Sequence, residues 1–321
     1  MSRQLYLECY SGISGDMTVA ALVDLGVNQE SLLQALSTIP VSGYQVKISR
    51  VKKSGLDACD FDVILDAEHE NHDHDMEYLY GHLHGHEQGE HLHDQHHDQH
   101  HEHEHDHVHE EHVHEHSFHE YDCTQGCDHD HMNHEHNHHE HTHGNHHVHH
   151  HEHRGLPEIL AIIDKTQISD HAKEIASRIF QILAQAEAKA HGVPVEQIHF
   201  HEVGAVDSIV DIIAVAYCVD ALDISEVIVP VLYEGIGTVR CQHGILPVPV
   251  PAVANIAVAY GLKLHLTPDS GEYVTPTGAA IVAALRTGEN LPEEYRIEAI
   301  GLGAGKRETS RSGILRAMLL L

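Results

Sequence analysis

The segment His199-Phe-His-Glu-Val-Gly-Ala-Val-Asp-Ser-Ile-Val-Asp211 concentrates side chains that can bind a metal ion or move a proton. If its first residues are extended, His199 and His201 point to the same side. Asp207 and Asp211 then lie one turn apart on one face of the helix that follows. Imidazole and carboxylate groups together form a mixed donor set that suits a divalent transition metal. The spacing therefore predicts a metal site at a helix N-terminus.

The same segment also has a purely structural interpretation. In that interpretation Glu202 and Asp207 complement the helix dipole, Asp211 is exposed, and the histidines form hydrogen bonds within the body. We favour a functional site because both aspartates share their helix with the apolar residues Ile209, Val210, Ile212, Ile213 and Val215. The predicted metal ligands are His199, His201, Asp207 and Asp211.

The turn Ser11-Gly-Ile-Ser-Gly-Asp16 is a second candidate site. A strand end followed by glycines at a helix start can present backbone N–H groups to a phosphate, and Asp16 can hold a metal. An ordinary strand-to-helix turn capped by Ser14 or Asp16 explains the pattern equally well. It is not a Walker A loop, because no Gly-Lys-Ser/Thr follows. The pattern predicts Asp16 as a metal ligand and cofactor binding by Ser11, Gly12, Ser14 and Gly15.

Two later segments also carry polar groups on unusual backbone. The run Gly301-Leu-Gly-Ala-Gly-Lys306 ends on a cation, so Gly303, Gly305 and Lys306 are predicted to cradle an anionic ligand. It is not a dinucleotide fingerprint, because it opens no helix. Residues 235–251 are predicted to form a long loop, stiffened by prolines, that carries Arg240 and His243. Each segment has an alternative interpretation as a structured turn.

A tract from His69 to His153 contains 34 of the 40 histidines and 21 of the 50 acidic residues, but no Lys or Arg. This composition predicts capture of borderline divalent ions such as Ni²⁺, Zn²⁺, Co²⁺ and Cu²⁺. Cys123 and Cys127 add two thiolates to the donor set, or are incidental. The alternative is an inert low-complexity insertion in a surface loop. The predicted metal ligands of the tract include His96, His97, His100, His101, His146, His147, His149, His150 and His151.

Composition separates this tract from the rest of the chain. It has too few apolar residues to offset the entropy of ordering its backbone, so it is predicted to be disordered without metal. The other 236 residues carry a net charge of −11, against −32 for the whole chain, and have no basic run. This argues against nucleic acid or an anionic membrane as the main partner. The sequence shows no signal-peptide pattern and no apolar run near the ~20 residues of a bilayer span. Its cysteines are scattered, which fits a reducing compartment. We therefore expect a cytoplasmic protein.

The elements that must position these groups predict a mixed α/β fold. Residues 5–10, 44–51, 60–65, 227–232, 296–300 and 314–321 read as strands, because they alternate or form short apolar runs. Helices are predicted over residues 16–25, 28–37, 169–192, 206–222 and 275–285. Another begins at Pro157 and has the apolar face Ile159, Leu160, Ile162 and Ile163. The predicted organisation is one folded domain, formed by residues 1–68 and 154–321 and interrupted by a disordered insertion at residues 69–153.

Four segments together resemble the LarC family, whose members insert nickel into pyridinium-3,5-bisthiocarboxylic acid mononucleotide to make the nickel-pincer cofactor. They are Leu7-Glu-Cys-Tyr-Ser-Gly-Ile-Ser-Gly-Asp-Met17, His199 to Asp211, His243-Gly-Ile-Leu-Pro-Val-Pro249 and Val274-Thr-Pro-Thr-Gly-Ala-Ala280. A histidine-rich insertion at this place is also typical of the family. One departure is Glu8, where the family usually carries Asp.

The resemblance implies a nickel insertase of the lyase class, CTP-dependent with Mg²⁺ or Mn²⁺, that serves enzymes such as lactate racemase. Full-length members continue into a C-terminal region associated with CTP. We therefore expect that the nucleotide is not bound by this chain alone and that a separate C-terminal polypeptide is a partner. Bond formation to the ring carbon requires a general base, for which His201 or Glu202 is the candidate.

Two other functions compete with nickel insertion. In the first, the chain is a non-enzymatic nickel or zinc storage protein or metallochaperone, and the tract itself is the function. In the second, the turn at residues 12–16 serves a metal-dependent nucleotide hydrolase. Deleting residues 69–153 separates the first from an insertase, because an insertase should keep its activity when nickel is plentiful.

Overall fold

The computed structural model describes residues 3–66, 154–200, 206–241 and 243–321. Within these ranges the chain forms the mixed α/β body that the sequence predicts. The predicted disordered insertion at residues 69–153 lies outside the described residues. So do the candidate general bases His201 and Glu202.

The described residues contain ten strands and seven longer helices. The strands are β1 (Arg3–Glu8), β2 (Tyr44–Lys53), β3 (Leu56–Leu65), β4 (Ile224–Ile228), β5 (Leu232–Ile236), β6 (Thr238–Cys241), β7 (Gly244–Pro247), β8 (Leu264–Ser270), β9 (Ile297–Ala304) and β10 (Ile314–Leu320). The helices are α1 (Gly15–Asp24), α2 (Gln29–Leu36), α3 (Leu156–Lys165), α4 (Asp170–His191), α5 (Val206–Ala221), α6 (Pro251–Tyr260) and α7 (Pro276–Leu285). None of these helices is long and apolar enough to cross a membrane.

A six-stranded sheet in the order β2-β3-β9-β10-β1-β4 organises the body. β10 runs antiparallel to both of its neighbours, β1 and β9, whereas β1 and β4 are parallel. β3 joins the first half of the chain to the second by pairing with β9 through Cys59 and Gly303. Segments from both sides of the histidine-rich tract therefore share one sheet.

Helix α1 lies between the sheet and the other helices. Nine of its ten residues are buried, including Asp16 and Thr18. Its close approach to β9 requires glycine there, because a Cβ at Gly301 would lie 2.1 Å from the Ala21 carbonyl oxygen and one at Gly303 would lie 2.0 Å from that of Met17. This packing fixes the position of the N-terminus of α1.

Hydrogen-bonded caps confirm three predicted helix starts. Asn28 accepts a hydrogen bond from the Ser31 backbone N–H at 2.9 Å, and Ser169 accepts one from Ala172 at 3.0 Å. Thr275 accepts one from Gly278 at 3.1 Å. These caps satisfy N–H groups that have no partner inside the helix.

Other predicted segments differ from the structure. The single strand predicted at residues 227–232 is two strands, β4 and β5, and the long loop predicted at residues 235–251 contains the antiparallel hairpin β6–β7. The strand predicted at residues 296–300 continues to Ala304 as β9, so the alternative interpretation of the glycine-rich run as a structured turn does not hold for Gly301 and Gly303. Its glycines read as a turn in sequence, but they are needed to admit α1. Helix α6 and strand β8 were not predicted.

Candidate functional site

A cavity of about 270 Å³ lies where four helices begin. Its lining includes residues from the first turns or caps of α1, α5, α6 and α7, namely Ser14, Gly15, Asp16, Asp207, Ser208, Val250, Pro251, Ala252, Thr275, Pro276 and Thr277. Each helix N-terminus presents unsatisfied backbone N–H groups and a partial positive charge. The cavity therefore combines an anion-friendly backbone with acidic side chains.

The start of α1 supplies the first of these acidic side chains. Ser14 occupies the N-cap position, but its hydroxyl donates to Asp16 Oδ1 instead of accepting a backbone N–H. Thr18 donates to the Ser14 carbonyl oxygen at 2.6 Å. Asp16 Oδ2 is buried and has no hydrogen-bond partner among the described residues. Such an oxygen is available to a proton or to a cation.

Helix α5 supplies the other two carboxylates, Asp207 and Asp211, from successive turns. Both line the cavity, in agreement with the prediction that they share one helix face. Burial raises the pKa of Asp211 well above its ordinary value, and the nearby charges of Asp16 and Asp207 raise it further. Lys306 and a hydrogen bond from the backbone of Asp16 act in the opposite direction. Ionisation of Asp211 is therefore disfavoured beside the other two carboxyl groups.

Backbone contacts hold the starts of α1 and α7 side by side. Ile13 donates its N–H to the Tyr273 carbonyl oxygen at 2.9 Å and accepts from the Thr275 N–H at 3.1 Å. A Cβ at Gly278 would lie 2.2 Å from the Ile13 carbonyl oxygen, so glycine is required at this contact. The Thr275-Pro-Thr-Gly278 sequence therefore does more than begin a helix, because it also positions the neighbouring carboxylate site.

Side chains with oxygen, nitrogen and sulfur donors line the same cavity from two other elements. Glu187 and His191 come from the end of α4, and Cys241 and His243 come from the hairpin β6–β7. Cys241 Sγ lies 3.9 Å from His243 Nδ1. The rings of His191 and His243 have centroids 4.9 Å apart. Sequence reasoning noted His243 but missed Glu187, His191 and Cys241, which lie far apart in the chain.

His199, the remaining described ligand candidate, also lines the cavity. Its position is set by the next residue, Phe200, which is buried. The Phe200 backbone donates its N–H to the Arg154 carbonyl oxygen at 3.1 Å. Phe200 also packs edge-on against Phe180 of α4, with ring centroids 6.2 Å apart. His199 is therefore held at the edge of the site by its neighbour.

An ion pair missed by sequence reasoning forms another part of the lining. Arg307 donates to Glu272 at 2.5 Å, and both residues line the cavity. The segment that carries Glu272 is held by Glu234, whose Oε1 accepts N–H bonds from Gly235, Tyr273 and Val274 at 2.8, 2.7 and 3.2 Å. Burial raises the pKa of Glu234 to about 7. The sequence signal for these hydrogen bonds was Glu234 itself, a single acidic residue in the otherwise apolar strand β5.

A second, smaller cavity of about 40 Å³ adjoins the first and shares Ser14, Asp16, Glu272, Thr275 and Arg307 with it. Ser11, Gly305 and Lys306 line the smaller cavity. The Lys306 ammonium lies 2.5 Å from Asp60 and 3.3 Å from Asp62. These contacts raise its pKa, although burial opposes them. Its charge is thus partly neutralised by the body.

Two predicted cofactor-binding glycines line neither cavity. Gly303 packs against α1, as described above. A Cβ at Gly12 would lie 1.9 Å from the Tyr273 carbonyl oxygen, and the φ of Gly12 is +82°. The structure therefore gives both glycines a packing reason. Glu8, the departure noted in the first segment, forms an ion pair with Arg316, its partner across β1 and β10.

The described residues do not complete a metal site by themselves. Among them, no group of three or more His, Cys, Asp or Glu side chains lies close enough together to hold a metal ion. Asp16, Asp207, Asp211 and His199 share one cavity, but His201 and Glu202 lie outside the described part of the chain. Metal ligation by this set stays a prediction.

Comparison with known proteins identifies close relatives. The model of the nickel insertion protein family matches residues 5–320. The chain is 45% identical over 320 residues to the pyridinium-3,5-bisthiocarboxylic acid mononucleotide nickel insertion protein of Alkaliphilus metalliredigens, covering 100% of this chain and 61% of the relative. It is 34% identical over 316 residues to the protein of the same name from Geobacillus kaustophilus, covering 98% and 59%.

A putative nickel insertion protein of Geotalea uraniireducens is 34% identical over 308 residues, with 95% of this chain and 57% of the relative covered. The chain thus spans about three-fifths of the length of these relatives. No solved structure matches it.

Proposed function

The chain belongs to the nickel insertion protein family, and we propose that it inserts Ni²⁺ into pyridinium-3,5-bisthiocarboxylic acid mononucleotide to form the nickel-pincer cofactor. The observation that carries this proposal is that three carboxylates, the buried Asp16 and the half-buried Asp207 and Asp211, line one cavity. The charges of Asp16 and Asp207 add to burial in raising the pKa of Asp211, and a cation bound among the three carboxylates would relieve this repulsion. The names of the relatives supply the identity of the cation and the acceptor.

The proposed chemistry is ligand exchange. Asp207 and Asp211, with Asp16 and His199, hold Ni²⁺ through oxygen and nitrogen donors. The ion then moves to the two thiocarboxylate sulfurs and one ring carbon of the mononucleotide, donors that favour a square-planar arrangement. The ring carbon must lose a proton for the nickel–carbon bond to form. We propose that His201 or Glu202 accepts it, acting as general base.

We propose that the anionic part of the mononucleotide binds at the wall shared by the two cavities. The starts of α1 and α7 offer backbone N–H groups there, together with Ser14 and Thr275. Ser11, Gly15, Gly305 and Lys306 remain candidates because each lines one of the cavities. The larger cavity, at about 270 Å³, is close to the lower end of the ~300–1,000 Å³ of small-molecule sites.

CTP with Mg²⁺ or Mn²⁺ fits the described residues poorly. The adjoining cavity that holds Ser11 and Lys306 measures about 40 Å³, which is far below the ~300 Å³ of an ordinary ligand site. We therefore propose that the nucleotide binds to a region present in the longer relatives, supplied here by another segment or a separate C-terminal polypeptide. The nucleotide dependence and the lyase class are part of this proposal.

The histidine-rich tract is proposed to supply the nickel. It lies outside the described residues, and the argument for it is its 34 histidines and 21 acidic residues. The same composition favours a second candidate function, nickel or zinc storage or metallochaperone activity without insertion. We further propose that the protein acts in the cytoplasm and that its product serves enzymes such as lactate racemase.

The deciding experiment offers the purified protein Ni²⁺ and the metal-free mononucleotide, with and without CTP and Mg²⁺ or Mn²⁺, and detects the nickel-pincer cofactor by mass spectrometry. A variant lacking residues 69–153 is assayed at limiting and at excess nickel. An insertase keeps its activity at excess nickel, whereas a storage protein forms no cofactor at any nickel concentration. If cofactor forms only when a C-terminal polypeptide from a longer relative is added, this supports the proposal that the nucleotide binds outside the described residues.

A further inference from the structure

We propose that Cys241, His243 and His191 form a second nickel site on the cavity, which receives the ion before it reaches the carboxylates. This inference rests on the nickel insertion proposed above. It names the route that the ion takes. All three residues line the same cavity as Asp16, Asp207 and Asp211.

The first argument is the distance between the donors. Two ligands of one tetrahedral Zn²⁺, a sulfur at about 2.3 Å and a nitrogen at about 2.0 Å, lie about 3.6 Å apart, which sets the scale for two donors that share one divalent ion. Cys241 Sγ and His243 Nδ1 are 3.9 Å apart, close to that value. The His191 ring lies beside that of His243, with centroids separated by 4.9 Å. As they stand, the described side chains do not bring three donors close enough to hold one ion, so the site requires the imidazoles of His191 and His243 to turn toward the ion as it binds.

The second argument is that the cluster lies at the ends of regular elements. Cys241 and Gly244 form the last pair of the β6–β7 hairpin, and His243 sits in its turn, where Gly244 adopts a φ of +93°. His191 lies in the last turn of α4, which ends at Gly192 with a φ of +67°. Glu187, one turn earlier, places its carboxylate 3.7 Å from His191 Nε2. A carboxylate beside a ligating imidazole orients the ring and increases its basicity.

The third argument is the exposure of the thiol. Cys9, Cys59 and Cys218 are buried, whereas Cys241 is partly exposed, so it differs from the other cysteines of the described residues. On binding, the Cys241 thiol releases its proton to solvent, and the thiolate and imidazoles replace water on the ion. No oxidation is involved. A thiolate with imidazoles suits a borderline ion such as Ni²⁺, and it binds such an ion in preference to Mg²⁺ or Ca²⁺.

The test measures protection of Cys241 from alkylation in the full chain. Cys123 and Cys127 are replaced by serine so that thiols of the tract do not interfere, and the alkylated peptides are quantified by mass spectrometry. Ni²⁺ in excess of the tract's capacity is expected to slow alkylation of Cys241 about tenfold or more, since the thiolate is both nucleophile and ligand. His191→Ala combined with His243→Ala should abolish the protection. His171→Ala, at the opposite end of α4, should leave it intact.

Buried Cys218 reports on folding in the same experiment, because it becomes reactive only if the body opens. Equal alkylation of Cys241 with and without Ni²⁺ in the folded protein overturns the site. So does protection that survives in the variant lacking both histidines. If Ni²⁺ protects Cys241 but no cofactor is ever formed, the nickel site stands and the proposed insertion activity fails. If cofactor forms without protection, insertion stands and the second site fails.

Discussion

The backbone of Gly15 lies directly against the side chain of Asp211. A Cβ added at Gly15 would lie 2.5 Å from Asp211 Oδ2 and 2.9 Å from Asp211 Cβ. The first turn of α1 and the second turn of α5 therefore meet with no room for a methyl group. This contact places Asp16, the next residue, beside Asp211, and so it sets the spacing of the carboxylates.

Gly15→Ala is expected to disturb the carboxylate group. Overpacking of this kind costs about 1–3 kcal/mol, so the free energy of unfolding should fall by that amount. A displacement of about 1 Å in a reacting group can cost up to ~100-fold in rate, so cofactor formation should fall by more than the folded fraction explains. The measurements are urea unfolding and the insertion assay at excess nickel.

Gly288→Ala is the matched control, since a Cβ there meets no atom within 4 Å. It should change the free energy of unfolding by less than about 0.5 kcal/mol. If Gly15→Ala behaves like Gly288→Ala in both assays, the contact with Asp211 does not constrain the site.

Asp211→Asn should stabilise the protein in the absence of metal. Burial and the charges of Asp16 and Asp207 raise the pKa of Asp211, so ionising it opposes folding. A group with a raised folded pKa costs no stability below its unfolded value of about 3.9, and it costs progressively more as the pH rises through the folded pKa. The variant should therefore exceed the wild type in stability by about 1–2 kcal/mol at high pH.

The difference between the two proteins should shrink as the pH falls, because protonated Asp211 resembles Asn. Urea unfolding at a series of pH values, with a chelator present, measures it. If the wild type is more stable than Asp211→Asn at every pH, favourable contacts within the protein stabilise the ionised carboxylate, and the prediction is wrong.

The sequence predicted the three aspartates of the carboxylate group better than the other residues that line the cavity. Asp207 and Asp211 follow from helical periodicity within one segment, and Asp16 follows from the adjoining strand-to-helix turn. The approach of α5 to α1 depends on Gly15, whose role is invisible without the partner helix. Cys241 and His191 could not be placed together, because residues 235–251 read as a loop and nothing local links them to α4.

Asp207→Ala should abolish cofactor formation while leaving bulk nickel binding nearly unchanged. Asp207 lines the cavity, whereas the tract supplies most of the nickel donors. The same result is expected for His201→Ala, which tests the segment outside the described residues. Nickel bound per chain and cofactor formed per hour are measured on the same preparations.

Asp220→Asn controls for loss of an acidic side chain from the same helix, because Asp220 lies at the far end of α5, where it contacts Ser169 and His171. It should retain wild-type insertion. Wild-type rates in both Asp207→Ala and His201→Ala would return this segment to its structural interpretation.

Bulk nickel binding should fall steeply between pH 7 and pH 5. The tract carries 34 histidines, whose unperturbed pKa is about 6.5, and protonation removes the ring nitrogen that binds the metal. Protonation also replaces a field that attracts cations with one that repels them, because the carboxylates keep their charge while the imidazoles gain one.

Equilibrium dialysis with Ni²⁺ at pH 7, 6 and 5, on the full chain and on a variant lacking residues 69–153, separates the tract from the cavity. The variant should bind only one or a few ions per chain at pH 7. Undiminished stoichiometric binding by the full chain at pH 5 would contradict a histidine-based store.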